Sequence, residues 1–199
     1  MEYSLNALNQ WIVCAEQQFK TQLAELNALD AAIGDGDHGS NLARGFAKVI
    51  EKLQASPPET PAGLFKLVGM TLISSVGGAS GPLYGTFFLE AAKTAGDQLQ
   101  LDDAGLALCL QAGLAGIQRL GKAEPGDKTM VDALSPAVSA LNHQAGLEMA
   151  AQKAREGRDA AIPMIARKGR ASYLGERAIG HADPGATSAS LLFDCLAKL

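Results

Sequence analysis

Residues 5–41 read LNALNQWIVCAEQQFKTQLAELNALDAAIGDGDHGSN. Leu5, Leu8, Ile12, Ala15, Phe19, Leu23 and Leu26 recur at three- and four-residue spacing, which predicts one amphipathic helix ending near Asp30. The helix runs into a turn where Asp30, Asp35 and Asp37 crowd together and Gly34 and Gly36 alternate with the last two. Crowded carboxylates repel one another unless something positive sits between them. Oxygen-only ligands suit a hard cation such as Mg²⁺, Ca²⁺ or Mn²⁺ better than zinc. The same residue types also make an ordinary solvated turn, so the segment alone leaves both readings open. The Ca²⁺ helix-loop-helix pattern fails here. Counted from Asp35, its oxygen-ligand and glutamate positions hold Gly39 and Phe46.

The helical pattern continues outward from that turn. Leu and Ala dominate the apolar set and Val and Ile are scarce, a bias toward helix over strand. Leu42, Phe46, Val49, Ile50 and Leu53 predict a second helix, broken by Ser56-Pro57-Pro58. Thr60-Pro61 starts a third, carrying Leu64, Leu67, Val68, Leu72 and Val76. Leu83, Phe87, Phe88 and Ala91 open a fourth, closed near Gly96. A fifth starts at Asp102 or Asp103, and a sixth is capped by Thr129. A seventh is expected over Leu147 to about Ala166, kinked or shortened by Pro163. Residues 167–182 form a long connection, and Asp183-Pro184 opens the eighth helix. Eight helices and no strand are predicted, in one all-α domain spanning residues 1–199.

Composition narrows the classes further. The 199 residues are 47% hydrophobic with a net charge of −4, enough for a sizeable core. A nucleic-acid partner would need a basic face, and no such run exists. No stretch of about 18 apolar residues predicts a membrane span. Met-Glu-Tyr-Ser-Leu lacks the basic start and apolar core of a signal peptide. Cys14, Cys109 and Cys195 lie in apolar helical contexts and are expected as buried free thiols, which favours a cytoplasmic location.

Connections in bundles are usually short and chemically dull. Four here carry unusual chemistry. They are the acidic turn, Gly77–Pro82, Gly121–Lys128 and Arg167–Ala182, following predicted helices one, three, five and seven. In an antiparallel up-and-down arrangement all four fall at one end. The rim so formed suits a polyphosphate. Carboxylates hold cations that bridge phosphates, glycine lets backbone N–H groups approach an anion, and Arg170 offers a permanently charged fork. Helix starts near Ser40 and Asp183 add positive dipole ends. Judged singly, Gly77–Gly81 reads as a plain turn and Asp183-Pro184-Gly185 as a helix start. His143 reads as a surface residue, and His181 as either a cap or a contact. No P-loop and no Gly-x-Gly-x-x-Gly after a strand is present.

GDGDHG at 34–39, SVGGASGP at 75–82, GKAEPGDKT at 121–129, GRASYLGER at 169–177 and HADPGATS at 181–188 resemble, in order, segments of dihydroxyacetone kinase L subunits. The resemblance spans nearly the whole chain. It implies an eight-helix barrel that binds ADP or ATP at one rim through two Mg²⁺ ions. It implies Asp30, Asp35 and Asp37 as the Mg²⁺ ligands. His38, Gly39, Ser40 and Asn41 match the region of the phosphates, and Ala79 and Ser80 match the turn that receives them. Gly121, Met130, Arg170, Asp183, Pro184 and Gly185 match the remaining nucleotide contacts. Gly36 stands where some relatives carry alanine, a change the turn is expected to tolerate.

The resemblance further implies that dihydroxyacetone is held on a separate K subunit. A phosphocarrier M subunit of the phosphotransferase system, fed by phosphoenolpyruvate, would rephosphorylate the ADP that stays bound. This chain then contributes positioning and electrostatics, with no catalytic nucleophile of its own. Two other readings stand beside it: an ATP-exchanging L-type subunit serving another small acceptor, and a non-catalytic Mg-nucleotide-binding helical module. The oligomeric state, a homodimer included, is left open, as is an apolar occupant of the barrel.

Overall fold

The computed structural model describes residues 1–199. Its helices are α1 (Leu5–Thr21), α2 (Leu23–Ile33), α3 (His38–Ala55), α4 (Pro61–Ser75), α5 (Ser80–Ala95), α6 (Asp103–Gly121), α7 (Met130–Asn142), α8 (Leu147–Ala160) and α9 (Pro184–Leu196), with a 3-10 helix over Arg170–Ala178. Many start at a cap written into the sequence. Ser4, Thr60, Asp102 and Asp183 each accept from a backbone N–H in the first turn that follows. Thr129 and Asp132 form a reciprocal capping box on α7. Each such side chain satisfies a donor that the helix itself leaves orphaned.

The helices pack in a closed ring. α3 lies against α4, and each following helix against the next through α9, while α1 contacts both α3 and α9. α2 also lies against α3 and α9, so α1 and α2 together form one stave of eight. The fold is thus all-α, as the periodicity predicted, with three differences in detail. The first predicted helix breaks at Gln22, which leaves the helical region at ψ 8°. The seventh stops at Ala160, ahead of Pro163, and the long connection contains the 3-10 helix. Two three-residue strands, β1 (Glu2–Ser4) and β2 (Gln100–Asp102), pair antiparallel with Tyr3 opposite Leu101. Both of those side chains are buried. Strands this short carry no readable alternation.

Side chains fill the middle of the ring. Trp11 packs at 5.7 Å from Phe88 and 6.2 Å from Phe65, and Phe19 at 4.8 Å from Phe46. The Trp11 indole donates to the Leu192 carbonyl at 2.8 Å, tying the first stave to the last. Such aromatics give the core both area and angular preference. α4 and α5 approach closely because Gly69 and Gly85 face one another. A Cβ on Gly69 would lie 2.7 Å from the Gly85 carbonyl oxygen.

The cysteines depart from expectation. Cys14 and Cys195 form a disulfide with a Cα–Cα distance of 5.6 Å, and only Cys109 is a buried free thiol. The pairing arises because the first and last staves are neighbours, a relation invisible in a sequence separation of 181. Burial pushes the Cys109 thiol up to about 11. No helix is long and apolar enough to cross a membrane.

Candidate functional site

The connections α2–α3, α4–α5, α6–α7 and α8–α9 converge on one rim, around a cavity of about 260 Å³. Thirteen of the fifteen residues proposed from the sequence line it, namely all but Gly39 and Ser40. These two face α2 instead. A Cβ on Gly39 would lie 2.3 Å from the Leu23 carbonyl oxygen. Ser40 exchanges hydrogen bonds with Asn27, donating from its N–H at 3.0 Å and accepting from Nδ2 at 2.8 Å.

The acidic end is built by the break between α2 and α3. Asp30 sits in the last turn of α2, and its Oδ2 accepts from the backbone N–H of Asp37 at 2.9 Å and of His38 at 3.1 Å. One carboxylate oxygen therefore anchors the start of α3 and the other stays over the turn. That other oxygen explains Gly34, whose added Cβ would lie 2.2 Å from Asp30 Oδ1. Gly36 lies at φ +79°, a left-handed conformation in which alanine is strained, so the expected tolerance of alanine there does not hold for this turn. Ligand oxygens of Asp30, Asp35 and Asp37 come within 4.8 Å of one another, with Asp30 buried and the other two exposed. Arg170 forms an ion pair with Asp35 across the cavity mouth. Three convergent carboxylates form a donor set that fits a hard cation.

Beside the acids lies a buried hydroxyl–imidazole network. His38 Nδ1 is 3.0 Å from Ser80 Oγ, and Nε2 is 2.9 Å from Ser188 Oγ. Ser188 donates its single proton to the Gly185 carbonyl at 3.0 Å, so it accepts from His38 Nε2–H and from the Tyr84 hydroxyl at 2.7 Å. His38 Nδ1 is then the acceptor for Ser80. Burial lowers the His38 pKa, with Asp30, Asp37 and Asp35 opposing, so the ring is neutral. Asn41 Oδ1 accepts from Arg44 at 2.6 Å, which leaves its amide N–H groups free. Gly78, at φ +66° with open space before it, turns the chain into the N-terminus of α5.

Leu83, Ile117, Ala123, Met130 and Val131 add apolar lining to the same cavity, with Gly121 among them. Asp183 lines the cavity as well. Burial pushes its carboxyl up to about 7, reinforced by Asp132 and Asp30 and opposed by the Ala186 N–H and by Lys128. Tyr84, Ser188 and Lys128 were not singled out from the sequence. Ser188 and Lys128 both sit inside recognised segments, but nothing in residue type separates a hydroxyl or lysine that organises a site from one that faces water.

The DAK2 domain family model matches residues 32–198. The chain is 45% identical to "PEP-dependent dihydroxyacetone kinase, ADP-binding subunit DhaL" of Escherichia coli (strain K12), over 99% of this chain and 98% of that one. It is 44% identical to "PEP-dependent dihydroxyacetone kinase 1, ADP-binding subunit DhaL" of Listeria innocua, over 98% and 97% respectively. Among solved structures, the dihydroxyacetone kinase of C. freundii in complex with AMP-PNP and Mg²⁺ superposes with a TM-score of 0.76 at 30% identity. The match covers 94% of this chain and 33% of that enzyme, so the chain corresponds to a third of the larger protein.

Proposed function

Because the chain belongs to the DAK2 domain family, we propose that it is the ADP-binding subunit of a phosphoenolpyruvate-dependent dihydroxyacetone kinase. Full-length similarity to two subunits of that name supports this reading, and no observation favours another acceptor or a non-catalytic module. The observation that carries it is one cavity lined both by apolar side chains, Leu83, Ile117, Met130 and Val131 among them, and by three convergent carboxylates. The whole chain acts as one nucleotide-binding domain.

In this reading Asp30, Asp35 and Asp37 hold two Mg²⁺ ions. Mg²⁺ held there would offset phosphate charge, and ADP held beside it would accept a phosphoryl group to become ATP and give it up to the acceptor, returning to ADP. Leu83, Ile117, Gly121 and Met130 receive the base. Ala79 and Ser80 present the α5 N-terminus to a phosphate oxygen. Asn41 donates its free amide N–H, and neutral His38 fixes the Ser80 hydroxyl through Nδ1. Arg170, paired with Asp35 in the structure, would offer its guanidinium to phosphate oxygens. Asp183, Pro184 and Gly185 supply cavity wall at the start of α9, while Gly39 and Ser40 act through the packing of α3 on α2.

The partners of this reading are a K subunit that holds dihydroxyacetone and a phosphocarrier M subunit. A homodimer and a cytoplasmic location belong to it as well, although the Cys14–Cys195 bridge removes the free-thiol argument for that compartment. The test is phosphoryl transfer from phosphoenolpyruvate to dihydroxyacetone with cognate K and M subunits and a catalytic trace of ADP. Turnover without free ATP is expected. A demand for stoichiometric ATP overturns the phosphoenolpyruvate-driven assignment.

A further inference from the structure

Lys128 is wholly buried, alone among the lysines and arginines of the chain, and its backbone lies in the left-handed region at φ +60°. Both features are unfavourable unless the surroundings enforce them. Its ammonium donates to the carbonyls of Ile162 at 2.8 Å, Met164 at 3.1 Å and Ala178 at 2.6 Å. All three ammonium protons are thereby used, so none is left for a phosphate.

The three acceptors share a location. Ile162 and Met164 follow the end of α8, and Ala178 ends the 3-10 helix. None belongs to a stave of the barrel. Gly180 N–H donates to Ile162 O at 2.9 Å, and Arg167 N–H to Asp127 O at 3.0 Å, the residue just before Lys128. Together these bonds gather both ends of the 162–180 excursion onto the α6–α7 loop. The middle of that excursion packs on Ile33 of α2 through Ala171 and carries Arg170, which pairs with Asp35 of the acidic turn.

We infer that Lys128 is a positioning residue: it clamps the base of the 162–180 strap and so sets where Arg170 stands over the acidic cluster. The inference rests on the proposed role of Arg170 at the phosphates. The strap also rests on α2, where Ala166, Ala171 and Ala178 pack with Ile33, so the clamp at its base and this contact together set its tip, and a misplacement of about 1 Å in a phosphoryl-transfer site lowers the rate steeply.

The test is a double-mutant cycle in the complete assay with K and M subunits, using Lys128→Met, Arg170→Ala and the double variant. Lys128→Met alone is expected to lower kcat/KM by about tenfold or more. In the Arg170→Ala background the same change is expected to cost less than about twofold, because the residue it acts through is gone. Equal losses in both backgrounds show a general structural role and overturn the inference. In hydrogen exchange, Lys128→Met is expected to expose the amides of 168–177 and leave α1 to α7 protected. Exchange that rises across the staves also overturns it. If Lys128→Met does not fold, Lys128→Gln carries the same cycle, and failure of both to fold overturns a role confined to the strap. If Arg170→Ala leaves Mg-ADP affinity and turnover unchanged, the phosphate role of Arg170 fails. The exchange pattern then still decides whether Lys128 orders the strap.

Discussion

Asp35 is exposed, and its charged partner is Arg170, so removing its carboxylate disturbs little else. Asp35→Ala is expected to weaken Mg-ADP binding roughly a hundredfold, since ligand charge count sets the affinity of such sites over several orders of magnitude. Its far-UV circular dichroism is expected to match the parent, and unchanged affinity by calorimetry removes Asp35 from the metal set. Asp183 offers a pH signature. Its carboxyl titrates near 7 in the folded chain, above its ordinary value, so the folded state binds the extra proton between about 4 and 7. Its contribution to stability therefore falls as pH rises through that window and is level above it. In nucleotide-free protein, the midpoint of Asp183→Asn relative to the parent is expected to rise from pH 4 to pH 7. A difference that stays flat over that range removes Asp183 as the titrating group. The crowded aspartates pointed to this site only together with the other unusual loops of the same rim, since alone they also read as a solvated turn. Lys128 did not, since burial is a property of the assembled loop and not of the residue.

At the scale of elements, caps were the most legible feature. Thr60-Pro61, Thr129 and Asp183-Pro184 each mark a helix start in the structure, because a cap is satisfied within four residues of chain. The break at Gln22 was not legible, since the apolar spacing runs on from Phe19 to Leu23 and Leu26 without a glycine or proline. The β1–β2 ribbon was likewise hidden, because Tyr3 finds Leu101 only after the ring has formed. Close helix crossings are another assembled property. Gly69→Ala forces a methyl against the Gly85 carbonyl and Leu89 Cγ, at 2.7 and 2.8 Å. It is expected to cost about 1–3 kcal/mol, as overpacking does, despite the better helix propensity of alanine. Urea unfolding at fixed pH measures this, and a stabilised variant contradicts the packing of α4 on α5.

For the whole molecule, the alternation of unusual and ordinary connections foretold that the unusual ones gather around one cavity at one end. That inference needed only antiparallel neighbours, and the ring in the structure keeps them. The disulfide was missed because closure of the ring is a global fact. It links residues 181 apart, and the loop-entropy account assigns such a bridge up to about 5 kcal/mol. Cys195→Ser is expected to lower the thermal midpoint clearly, with Mg-ADP binding retained because the bridge lies outside the cavity lining. An unchanged midpoint in oxidised samples shows that the bridge does not form in solution.

The seam between α1 and α9 also fixes an order of events in time. A ribosome delivers the chain from its first residue, and domains fold as their parts emerge. The stave that closes the ring is the last one made, and it carries Asp183, Pro184, Gly185 and Ser188. A nascent chain halted before residue 184 holds all three clustered aspartates but no fourth wall, and His38 has no Ser188 beside it. The clustered aspartates thus exist early and the cavity exists only once α9 has joined, so an assembled cavity reports that the ring has shut.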